Sequence, residues 1–310
     1  MNGSGATTRQ PAPNCWALRT RLVLMFVFGL ATLVPAAAMA SQPARTAVMS
    51  AFGPELRALE AATRHKRAHQ YAGVRFVTGE LDGKPVVLFL SGVSMVNASR
   101  TTQLALDRFN IRRIVFSGVG GGVDPALQVG DVVVAEQWAE YLEMTFTREP
   151  GPAEAADRLP SFGMMTPNPV TLEPAAGKRE LRTWFKVDPV LLAEARRSAA
   201  NAVLKRCAGE HCLPAPPRIV VGGNGVSGSA FVDNAAFRQY AFSAFKAEVL
   251  DMESAAAAHV AYLNHTPFIA FRSLSDLAGG DPGANQFPTF MGLAADNAAA
   301  TVRTFLLAAP

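Results

Sequence analysis

From residue 46 onward, short apolar runs alternate with segments patterned for helices, and this alternation narrows the possible folds more than any other feature. Strands that alternate with helices form a largely buried sheet, mixed or parallel. Residues 46–52 read as a first strand, and Gly53-Pro54 opens a helix to about residue 64, with Pro at a favoured first-turn position. A hairpin is expected from 74–80 and 86–90 around Leu81-Asp82-Gly83-Lys84, followed by a helix at about 97–109. Ile114-Val115-Phe116 forms a strand that runs into a glycine-rich loop, Ser117-Gly118-Val119-Gly120-Gly121-Gly122, and 129–135 supplies another strand. A helix from Asp188-Pro189 to about 206, strands at 218–221 and 267–271, a helix near 254–263 and an amphipathic helix over roughly 288–307 complete the pattern. The expectation is one α/β domain over residues 41–310, a three-layer fold with a central mixed β-sheet flanked by helices.

Six prolines fall between Pro150 and Pro174, which excludes a regular helix or central strand there. An insertion at about 145–187 is therefore expected to be a long surface loop or lid.

The first 40 residues read as a secretory signal peptide. Arg19 and Arg21 precede an apolar stretch from Leu22 to Val34, which ends at Pro35 and the small-residue site Ala38-Met39-Ala40. The stretch is shorter than the roughly 18 to 20 residues a membrane span needs, so cleavage after Ala40 and a periplasmic or secreted product with no membrane association are expected. Of the formal charge of +4, three units come from Arg9, Arg19 and Arg21 in that acid-free leader, leaving +1. A near-neutral mature chain gives no reason to invoke nucleic acid as a partner.

Cys15 leaves with the leader. Cys207 and Cys212, in Cys-Ala-Gly-Glu-His-Cys, suit a small disulfide loop in an oxidising compartment; a metal site with His211 as third ligand is the weaker alternative. The glycine-rich segment is not a dinucleotide fingerprint, because Val123 stands at the third required glycine and a strand follows instead of a helix, so no cofactor is expected. Its glycines still let backbone N–H groups approach a ligand. His65 and His69 read as a solvated helix face without the metalloprotease glutamate.

Five segments become informative together: Ala51-Phe52-Gly53-Pro54-Glu55, the glycine-rich stretch, Val226-Ser227-Gly228-Ser229-Ala230-Phe231-Val232, Asp251-Met252-Glu253-Ser254-Ala255, and Arg272-Ser273-Leu274-Ser275-Asp276. Their kinds and order, with Leu127-Gln128-Val129-Gly130-Asp131-Val132-Val133, resemble the nucleoside phosphorylase superfamily, most of all its methylthioadenosine/S-adenosylhomocysteine nucleosidases. The resemblance spans about 46–307, interrupted by the Pro-rich segment, and implies a nucleoside phosphorylase-like fold. It implies that Glu55 activates the attacking water and that Asp276, assisted by Ser275, serves the purine N7. Met252 and Glu253 would hold the ribose, Phe231 would stack on the base, the Val232 backbone would contact its edge, Gly121 would lie against substrate, and Arg272 would orient carboxylates. Two separated carboxylates and a ribose-gripping third suit cleavage of an N-glycosidic bond. The implied protein is a homodimeric purine nucleosidase acting on 5′-methylthioadenosine, S-adenosylhomocysteine or a related adenosine nucleoside. Phosphorolysis, and a non-catalytic nucleoside-binding or storage role, are the alternatives. Three departures stand out: Val119 where the nucleosidases commonly have Ser, Ser229 for a usual Asp, and Asp233-Asn234 for a usual Asn-Gly.

Overall fold

The computed structural model describes residues 43–149, 159–175 and 177–309; the leader with Cys15, and residues 150–158 of the Pro-rich insertion, lie outside the described residues. The strands in chain order are β1 Arg45–Ser50, β2 Arg64–Tyr71, β3 Val74–Leu81, β4 Lys84–Leu90, β5 Ile111–Gly122, β6 Val132–Val134, β7 Gln137–Glu140, β8 Met144–Phe146 and β9 Met165–Pro167. They continue as β10 Val170–Ala175, β11 Lys178–Arg182, β12 Phe185–Lys186, β13 Cys207–Ala208, β14 His211–Cys212, β15 Ile219–Val221, β16 Asn224–Ser227, β17 Ala247–Asp251 and β18 Phe268–Asp276. The helices are α1 Gly53–Ala62, α2 Met95–Arg108, α3 Pro189–Ser198, α4 Ala235–Phe245, α5 Ser254–Leu263 and α6 Phe287–Ala308.

Twelve of these strands form one mixed sheet among the described residues. Its centre is parallel: β1 lies between β4 and β5, and β18 pairs along β5 from Phe268↔Ile114 to Asp276↔Gly121. β17 joins the glycine end of β5 in antiparallel fashion, Leu250 opposite Gly121. Two helix groups flank the sheet, α1 and α3 packing with α6, and α2 with α5. The core gathers the side chains of β1, β4, β5 and β18, among them Val48, Leu88, Phe116 and Phe271. Burial on both faces explains why these strands are continuously apolar.

Several expected elements need correction. The glycine-rich stretch is the second half of the twelve-residue strand β5. Its glycines are required by crowding, since a Cβ at Gly120 would stand 2.8 Å from Val249 Cγ2. His65 and His69 lie in β2, an edge strand, and α1 stops at Ala62. The run Arg64-His65-Lys66-Arg67 carries no apolar alternation, as suits an edge protected by charge. The described parts of the Pro-rich insertion are not an open loop: β8 pairs with β9, β10 with β11, and β12 joins the main sheet through Phe185↔Trp138. The helix expected to run to 206 ends at Ser198 and continues as a 3₁₀ turn, Ala199–Asn201. Sequence reading also missed β7, β16, β17 and α4.

Cys207 and Cys212 face each other across the β13–β14 hairpin and are joined, with an S–S distance of 2.02 Å. Among the described residues no group of three or more His, Cys, Asp or Glu side chains is placed to hold a metal.

Candidate active site

A cavity of about 330 Å³ opens where β1, β5, β17 and β18 end. Eight of the nine residues expected at a nucleoside site line it: Glu55, Gly121, Phe231, Val232, Met252, Glu253, Ser275 and Asp276. The ninth, Arg272, lies fully buried behind the wall.

Glu55 is set in place by the start of α1. Pro54 occupies the first helical turn, and Glu55, at the third helical position, reaches back so that Oε2 accepts from the N–H groups of Ala51 (2.6 Å) and Phe52 (3.2 Å). Oε1 accepts from Val119 N at 2.8 Å, tying the helix to β5. Burial pushes its carboxyl above the ordinary value of 4.5, outweighing Arg272 and those N–H groups, which favour the charge.

Glu253 precedes α5. Its Oε1 accepts from Ser94 N at 2.7 Å, and burial raises its pKa to about 7 against the opposing pull of Arg272. Asp276 ends β18, with Oδ1 accepting from Ala278 N (2.9 Å) and Oδ2 from the Ser275 hydroxyl (2.8 Å). Burial, with Asp281 and Asp233 nearby, raises its pKa as well. Three carboxyl groups on one mostly apolar cavity thus hold protons more firmly than exposed ones do.

Arg272 is the counter-ion to this cluster. Its guanidinium lies 4.0 Å over the Phe116 ring, its Nε is 2.6 Å from Asp251 Oδ2, and Nη1 and Nη2 stand 3.8 and 3.7 Å from Glu55 and Glu253. Neither Nη atom has a hydrogen-bond partner among the described residues. Sequence reading missed Asp251, which lines the cavity, holds Arg272, and accepts from Ser227 Oγ and from the N–H groups of Glu253 and Ser254 at 3.1 Å. The available signal was its place two residues before Glu253, at the strand-to-helix turn. Ser94, Phe52, Val93 and Phe287 were also missed; Phe287 meets Phe231 edge-on at 5.6 Å.

A family model described as the phosphorylase superfamily matches residues 45–307. The chain belongs to the phosphorylase superfamily. Among superfamily members it is 30% identical to the 5′-methylthioadenosine/S-adenosylhomocysteine nucleosidase of Bacillus thuringiensis, over 81% of this chain and 93% of that one. It is 28% identical to bark storage protein A of Populus deltoides, over 67% of this chain and 70% of that one. The crystal structure of the Neisseria meningitidis methylthioadenosine/S-adenosylhomocysteine nucleosidase in complex with methylthio-immucillin-A superposes with a TM-score of 0.64 at 26% identity, covering 85% of this chain and 99% of that one. Of the departures from that branch of the superfamily, Val119 places an aliphatic side chain in the cavity while its N–H serves Glu55, and Ser229 accepts a hydrogen bond from the Ser94 hydroxyl at 2.8 Å.

Proposed function

We propose that the chain is an exported purine nucleosidase that hydrolyses 5′-methylthioadenosine, S-adenosylhomocysteine or a related adenosine nucleoside to adenine and the free sugar. The observation that carries this reading is the convergence of the buried carboxyl groups of Glu55, Glu253 and Asp276, with Asp251 beside them, on one apolar cavity. The nucleosidase relatives support the reaction class.

In the proposed reaction the purine lies between Phe231 and Asp276, and the sugar lies over Met252. Glu253 Oε1 is engaged by Ser94, so Oε2 accepts from the ribose hydroxyls. Cleavage of the bond between C1′ and N9 leaves the electron pair on the purine, and Asp276 delivers its proton to N7. The hydroxyl hydrogen of Ser275 reaches either Asp276 Oδ2 (2.8 Å) or the Gly120 carbonyl (3.3 Å), so both charge states of Asp276 are accommodated. Water attacks the cationic C1′ from the opposite face and passes its proton to Glu55. The unpartnered Nη groups of Arg272, aimed toward Glu55 and Glu253, support a water site there.

Hydrolysis is favoured over phosphorolysis because no Lys or Arg lines the cavity among the described residues, and the ionised form of Glu55 that takes the water's proton would repel a phosphate dianion. Retention of all three carboxylates argues against a storage role like that of the poplar relative. The apolar leader supports export to the periplasm or beyond. An exposed rim at Val93, Val96 and Phe231, the last 58% accessible, supports a homodimer in which a second copy covers the mouth. Purified mature protein should release adenine from methylthioadenosine or S-adenosylhomocysteine and sediment as a dimer. No purine release from those two, adenosine or inosine would overturn the enzymatic reading, and a monomer at micromolar concentration would overturn the dimer.

A further inference from the structure

Ser94 has a backbone that serine seldom adopts, φ 81° and ψ 162°. Only glycine occupies that region freely, so a residue with a Cβ must be held there by its surroundings. Ser94 is also the N-cap of α2, its carbonyl accepting from Ala98 N at 3.0 Å. A serine in that role ordinarily has an extended backbone and spends its hydroxyl on an N–H of the first turn. Here the side chain makes no capping bond.

Two contacts outside the helix engage the residue. The Ser94 N–H donates to Glu253 Oε1 at 2.7 Å, and its hydroxyl donates to Ser229 Oγ at 2.8 Å. Ser229 sits on the segment that carries Phe231 and Val232 into the cavity. That segment is itself anchored, by Gly228 N to the Asp251 carbonyl at 3.1 Å and by the Tyr141 hydroxyl to the Ala230 carbonyl at 3.0 Å. The hydroxyl pair therefore joins the loop after β4 to the segment after β16.

We propose that Ser94 and Ser229 form a clasp that positions Glu253: the Ser229 hydroxyl holds Ser94 in its strained conformation, and that conformation aims the Ser94 N–H at Oε1. Oε2 is thereby left for the sugar, a consequence that rests on the nucleosidase reading above. Both serines are positioning residues. Without the tie from Ser229, Ser94 relaxes toward an extended backbone and its N–H turns away from Glu253. Glycine at position 94 reaches the same conformation without the tie, because with no Cβ it meets no steric penalty there. Loss of one hydroxyl is thus repaired by removal of the other, which a merely structural hydrogen bond does not predict.

The test compares wild type, Ser229→Ala and the double variant Ser229→Ala/Ser94→Gly by methylthioadenosine kinetics and by hydrogen exchange of the residue 94 amide, which needs no substrate. Ser229→Ala should raise KM about 3- to 10-fold, the usual worth of one hydrogen bond, with a smaller fall in kcat, and speed exchange about tenfold. The double variant should return both to within about twofold of wild type. Unchanged exchange in Ser229→Ala, or a double variant no better than the single one, overturns the clasp whatever the activity. Faster exchange with unchanged KM overturns its role in positioning Glu253. Wild type that releases no purine overturns the nucleosidase reading instead, and the exchange data then decide the clasp alone.

Discussion

A Cβ on Gly118 would stand 1.9 Å from Arg272 Nη1. Across the parallel pairing of β5 and β18 these two residues are direct partners, so the glycine is the space into which the guanidinium fits. Arg272 cannot yield, being fully buried, stacked on Phe116 and held by Asp251. Gly118→Ala is expected to destabilise the protein by about 1–3 kcal/mol through overpacking. Turnover should fall at least about tenfold as Arg272 shifts from Glu55 and Glu253. Thermal unfolding and adenine release check both parts; an active, undisturbed variant would show that the site does not depend on this fit.

Asp276→Asn should lower kcat by about 10²- to 10⁴-fold, the range for removing a general acid. Its contacts are short and local, to Ser275 and Ala278, so the melting temperature should change little. Unchanged turnover removes Asp276 from the mechanism.

Glu253 gives stability a pH dependence of unusual sign. Its pKa rises on folding from the ordinary 4.5 to about 7, so in that window the native state binds more protons than the unfolded chain. Its contribution to stability is fully present below 4.5 and is lost as pH rises through about 7. Relative to Glu253→Gln, the substrate-free protein should therefore lose stability between those two values and run level above them. Urea unfolding of both proteins from pH 4.5 to 8 measures this difference, and a constant offset would contradict it.

How much of this was legible beforehand depended on whether a residue's role was local. Helix α5 was read with its observed bounds, Ser254–Leu263, because its composition is that of a helix buried on most sides. Glu55 and Asp276 were singled out through the resemblance of their segments to the superfamily, and both lie at an element's end on the cavity. Strand β2 was missed because an edge strand of charged side chains has no apolar period to detect. The second half of β5 was missed because glycine weakens strand propensity, and only its crowding against Arg272, Val249 and Leu250 explains it. Asp251 sits at a legible strand-to-helix turn, but its contact with Arg272, like that of Ser94 with Glu253, joins residues distant in sequence that no local pattern announces.

The cysteines and the leader make a joint prediction. If the leader is cleaved as proposed, protein recovered from the periplasm should begin at Ser41, lack Cys15, and show no free thiol when denatured without reductant, since Cys207 and Cys212 are joined. Intact mass and thiol titration on one sample decide it. A retained leader, or two free thiols, would count against export.

In the proposed reaction water, not phosphate, takes the sugar. Glu55 presents a carboxyl group to the cavity and no Lys or Arg lines it among the described residues, so the lining offers no cation to a phosphate dianion. The decisive measurement is the rate of adenine release from methylthioadenosine by phosphate-free enzyme, with and without added phosphate, together with the identity of the sugar product. Equal rates and the free 5-methylthioribose are expected. Release that requires phosphate and yields a sugar 1-phosphate would contradict the hydrolytic account and leave Glu55 without its role.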